Sequence, residues 1–82
     1  MKSNEFYIAK GQLAELEREY KDINRRCESL LIQIREELNP IKELFDFDLE
    51  KVLDLVKEFR RLQLEARDIQ TKIYKIKETY NL

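Results

Sequence analysis

Leu49–Tyr80, LEKVLDLVKEFRRLQLEARDIQTKIYKIKETY, decides the fold. Val52, Leu55, Phe59, Leu62, Ala66, Ile69, Ile73, Ile76 and Tyr80 recur in it at alternating spacings of three and four. That is an uninterrupted a/d heptad ladder, which places one apolar seam along a helix. Upstream, Phe6, Ala9, Leu13, Leu16, Tyr20, Ile23, Cys27, Leu30 and Ile34 repeat the same ladder. Two matching seams joined by a short connector predict an all-α chain: an antiparallel two-helix coiled-coil hairpin, with helices at about 4–38 and 49–80 and a connector at 39–48. The whole of 1–82 reads as one domain. A core this small suggests pairing of two hairpins into a four-helix bundle.

The connector can be read from its turn chemistry. Proline disfavours a helical conformation at the residue before it, so Asn39-Pro40 ends the first helix. Pro40 then suits the first position of a short connector helix, with Asn39 as its cap and Ile41, Leu44 and Phe45 on one face. Asp48 is the expected cap of the second long helix, and Phe47 is placed to staple onto Val52. At the far end Ser3 or Asn4 is the candidate cap, and Gly11 on the outer face weakens the first turns.

Antiparallel pairing around this connector predicts seam partners whose numbers total 89. The layers become Ile34 with Leu55, Leu30 with Phe59, Cys27 with Leu62, Ile23 with Ala66, Tyr20 with Ile69, Leu16 with Ile73, Leu13 with Ile76 and Ala9 with Tyr80. Large residues meet small ones, as dense packing requires. The flanking positions predict Arg26 near Glu65 and Glu19 near Lys72 on one side. On the other side they predict Leu38 by Leu49, Leu31 by Val56, Asn24 by Gln63, Glu17 by Gln70, and Lys10 by Lys77. Glu17 with Lys21, and Asp22 with Arg26, have the spacing of ion pairs within one helix.

Composition narrows the function. Charged residues make up 40% of the chain and the net charge is −1, so nothing drives it as a whole toward nucleic acid or anionic lipid. Its apolar runs are far shorter than a membrane span and its start has no signal-peptide pattern, so a cytoplasmic protein without membrane partners is expected. With no histidine, histidine-based metal sites, triads and general bases are excluded. The lone Cys27 lies on the seam and reads as a small core residue. Glu36-Glu37 closes a helix and Asp46/Asp48 fit capping; neither has a second cluster to complete an acid/base or metal site. There is no Gly-rich phosphate loop or nucleophile elbow. No enzyme, catalytic residue, metal or cofactor is expected.

The run Leu13-x-x-Leu16, Tyr20, Ile23-Asn24, Cys27, Leu30-Leu31 resembles the first helix of helical chorismate mutases over about a quarter of the chain. That resemblance implies arginines at positions occupied here by Glu17 and Ile34, and a lysine where Phe45 stands. The cations that would hold substrate carboxylates are missing, so it carries no activity. The length and hairpin also resemble secreted WxG-type helical hairpins, but the chain has no tryptophan and bends at Asn39-Pro40. No family is assigned.

Two binding readings remain. Near the bend the seam widens: Leu31, Leu38, Leu49 and Val56 occupy adjoining positions on one side, and Ile32, Leu53 and Leu64 are further apolar residues off the seam. Such surplus marks a protein interface. Part of it is expected to lie under the connector, whose reach covers Leu38 and Leu49, and the remainder under a partner chain. A protein-protein interaction module follows, acting as an adaptor, assembly factor or small chaperone. Its expected partner is a second copy, with a homodimer favoured; another helical protein is the alternative. The second reading is RNA or DNA binding through a basic stripe of Arg60, Arg61, Arg67, Tyr74 and Lys75. Asp68 interrupts that stripe and Glu58 and Glu65 adjoin it, so nucleic acid is the less favoured partner.

Overall fold

The computed structural model describes residues 3–82 and is a helical hairpin of 66 × 15 × 14 Å. Helix α1 spans Asn4–Glu37 and helix α2 spans Leu49–Tyr80, with no strand among the described residues. Both ladders form the interface between them. Every seam residue is buried or half-buried, and the only other described residues shielded to that degree are Glu37, Lys42, Phe47 and Glu58. Leu62 is fully buried and clusters with Ile23 and Ile69; Leu16, Tyr20, Cys27, Leu30, Ala66 and Ile73 pack around them.

Cross-helix contacts fix the register at three levels. At the open end the Phe6 and Tyr80 rings meet edge to face at 6.5 Å. In the middle Gln70 Nε2 donates to Tyr20 Oη at 3.3 Å. Near the bend Lys51 Nζ donates to Glu37 Oε1 at 2.8 Å. Their residue numbers total 86, 90 and 88, which bracket the expected 89.

The ends of the helices follow local chemistry. Asp48 Oδ1 accepts from Lys51 N at 3.1 Å and caps α2, as its position suggests. Ser3 occupies the cap position of α1, but its side chain makes no capping bond. Asn81 closes α2 in the left-handed region at φ 57°, a conformation asparagine tolerates.

The connector departs from expectation. Asn39 does not cap a helix starting at Pro40. Its Oδ1 accepts from Ile41 N at 3.0 Å and its carbonyl from Lys42 N at 3.0 Å, which closes a tight turn over Asn39–Lys42. That Ile41 bond is one a capping Asn39 would make, but the backbone turns extended at Glu43 and no α-helix follows. Only one 3₁₀ turn follows, Leu44–Asp46, closed by Asp46 N donating to the Glu43 carbonyl at 2.9 Å. A piece this short cannot fold back along the hairpin. Ile41, Leu44 and Phe45 remain 89%, 76% and 95% exposed, and Leu38 and Leu49 are uncovered.

Candidate protein interface

The side of the hairpin that carries Leu31, Leu38, Leu49 and Val56 is open, with these residues 40–59% exposed. Leu53, one turn from both Leu49 and Val56, adds to it and is also exposed, as are Ile32 on the outer face of α1 and Leu64 farther along α2. The heptad explains the arrangement. Positions beside the seam face across to their antiparallel counterparts, but with two helices only, their outer halves have no third layer to meet.

Along the same side the lining changes chemically. Asn24, Gln63 and Gln70 occupy the equivalent positions toward the middle of the hairpin. There a groove of about 410 Å³ opens, floored by Tyr20, Ile23, Cys27, Phe59 and Ala66 and walled by Arg60, Leu64 and Arg67. Small Ala66 and Cys27 on the floor account for the depression, since neither fills the space beside the seam. Arg60 and Arg67 make no ion pair within the described structure. A second groove continues beyond it along Arg67, Gln70, Thr71, Ile73, Tyr74 and Lys77.

The basic stripe is thereby divided. Arg60, Arg67 and Tyr74 line these two grooves on one side. Arg61 turns away and is held by Glu58 at 2.6 Å and Glu65 at 3.2 Å. Its hydrogen bond lowers the Glu58 carboxyl pKa and raises that of the guanidinium. Lys75 lies on the opposite side, beside Glu15, Glu19 and Lys72.

Other charges also choose partners that spacing did not reveal. Arg26 reaches Glu58 at 3.9 Å rather than Glu65, and shares that carboxylate with Arg61. Lys72 pairs with Asp68 on its own helix at 3.3 Å, and shares a groove but no ion pair with Glu19. Asp22 pairs with Arg25, and Glu17 with Lys77 across the hairpin at 4.0 Å. Lys10 lies over the Phe6 ring, 5.4 Å from its centroid, while Lys77 pairs with Glu17. Such exposed ion pairs add little stability.

Glu37 is the polar residue that sequence reasoning missed. It occupies the next seam position after Ile34, opposite Val52, and its side chain is only 17% exposed. Lys51 binds one carboxylate oxygen at 2.8 Å and Lys42 the other at 3.4 Å. The hydrogen bond from Lys51 foremost, aided by the charge of Lys42, holds the Glu37 carboxyl below its ordinary pKa; Lys51 is raised in turn. The pair ties the end of α1 to the connector and to the start of α2. The signal was present as the unbroken three-four spacing through residue 37, hidden because the residue there is charged.

Among the described residues no group of three or more potential metal ligands comes together. No described helix is long and apolar enough to cross a membrane. Comparison with protein-family models, curated proteins and solved structures returns no match.

Proposed function

We propose that this chain is a non-enzymatic protein-interaction module that self-associates, two hairpins forming a homodimeric four-helix bundle in the cytoplasm. The observation that carries the reading is the uncovered apolar side near the bend, formed by Leu31, Leu38, Leu49, Leu53 and Val56. The surface area agrees with it. A compact protein of 10.0 kDa exposes about 5,200 Å². This chain exposes 6943 Å². The excess exceeds the roughly 800 Å² per partner that a specific interface buries. A two-helix hairpin can cover one seam only, so burial of a second apolar stripe requires another chain.

The same properties suit an adaptor, an assembly factor or a small chaperone, and another helical protein is the alternative occupant. RNA or DNA binding has weaker support. Arg61 is neutralised by two carboxylates and Lys75 faces the other side, which leaves Arg60, Arg67 and Tyr74 for a phosphate backbone. Sedimentation equilibrium tests the proposal. The wild type should be dimeric at tens of micromolar, and Leu31→Lys combined with Val56→Glu should be a helical monomer of lower stability. A wild type that stays monomeric at millimolar concentration refutes self-association.

A further inference from the structure

The apolar side, the groove and the connector have complementary chemistry in one molecule. The Leu44–Asp46 turn is an apolar knob rimmed by acids: Phe45 is almost wholly and Leu44 largely exposed, and Glu43 and Asp46 flank them with no side-chain ion pair. The groove walled by Arg60, Leu64 and Arg67 is its counterpart, a depression with an apolar floor, amide side chains at Asn24, Gln63 and Gln70, and two unpaired guanidinium groups. No such knob can reach the groove of its own chain, because the hairpin is straight and the turn is short. A second copy can deliver it.

Accepting the self-association proposed above, we infer that each hairpin seats its Leu44–Asp46 turn in the Arg60–Arg67 groove of the other, in an antiparallel dimer whose bends overlap. Length and charge both select this arrangement. Along α2, Leu53 lies about 6 Å, Val56 about 10 Å and Arg60 about 16 Å from Leu49, at 1.5 Å per residue. A two-fold axis crossing between Leu53 and Val56, about 8 Å from Leu49, stacks the apolar sides upon each other. It carries the region just beyond Leu49 to the level of Arg60 and Leu64, about 16–22 Å along the partner. Residues 36–54 contain seven acids and two bases, a net of −5, whereas residues 55–82 contain seven bases and four acids, a net of +3. Antiparallel overlap sets each acidic bend against a basic half. Side-by-side pairing with both bends at one end would set −5 against −5, which like-charge repulsion opposes.

Charge reversal in the full chain tests the inference, with dimerisation read by sedimentation equilibrium and helix content by circular dichroism. Glu43→Arg with Asp46→Arg should weaken the dimer by about tenfold or more, and so should Arg60→Glu with Arg67→Glu. All four residues are exposed and unpaired, so helix content should hold. The quadruple variant should recover wild-type affinity to within about threefold, because it restores opposite charges across the same contacts. A wild-type dimer that ignores either reversal, or whose loss the quadruple variant does not recover, overturns the seating and leaves association through the apolar side standing. A monomeric wild type overturns both.

Discussion

Replacement of Leu62 by alanine measures how much the seam contributes. Leu62 is 0% exposed and lies at the centre of the Ile23–Leu62–Ile69 cluster. Three carbon atoms are lost, worth about 2.4 kcal/mol at roughly 0.8 kcal/mol per buried methylene. A cavity penalty adds to this in deep cores. Here it is small, because Cys27 and Ala66 beside Leu62 also floor an open groove, and the space left can merge with solvent. The expected loss is therefore about 2.5–3 kcal/mol, the low end of the usual range for leucine to alanine. A domain of this size has about 4–12 kcal/mol in all, so the melting temperature should fall by roughly 10–20 °C. Urea unfolding followed by ellipticity at 222 nm gives the free energy directly. Two protein concentrations separate the intrinsic loss from any coupling to association. A loss under about 1 kcal/mol with an unchanged denaturant slope would refute the reasoning, since only a residue outside the core behaves so.

Gly11→Ala should stabilise the protein by about 1 kcal/mol, because a Cβ there meets nothing within 4 Å and the helix gains an intrinsically favourable residue. A lower melting temperature would show that the first turns of α1 are not regular helix. The Glu37–Lys51 pair should be visible in the pH dependence of stability. The folded carboxyl pKa of Glu37 lies below its ordinary 4.5, so its contribution is complete above that value and fades as pH falls through the folded one. Lys51 is raised above 10.5, so its contribution is complete below that value and fades only at higher pH. Melting temperatures from pH 7 to pH 3 should decline less for Lys51→Met than for the wild type. Glu58 is depressed by Arg61 in both proteins, so the difference between the curves isolates Glu37. Parallel curves would mean that the pair makes no net contribution.

Much of the architecture was already determined by the sequence, and for a local reason. A three-four spacing sustained from Phe6 to Ile34 and from Val52 to Tyr80 forces one apolar face on each helix, and Asn39-Pro40 lets the chain reverse between them. Seam membership and the approximate register depend on little else, so both could be read from residue numbers. The apolar surplus of Leu31, Leu38, Leu49 and Val56 was equally legible, because it follows from position in the heptad. Tertiary structure decided what depends on reach and competition. Arg61 captures Glu58 and Glu65 and so leaves the basic stripe; Glu37 enters the seam because Lys42 and Lys51 come to it from beyond the bend. The connector is a turn and one 3₁₀ turn because the backbone becomes extended at Glu43 after the Asn39–Lys42 turn. So short a piece leaves Phe45 bare, and the hairpin by itself cannot cover the surface its heptads create.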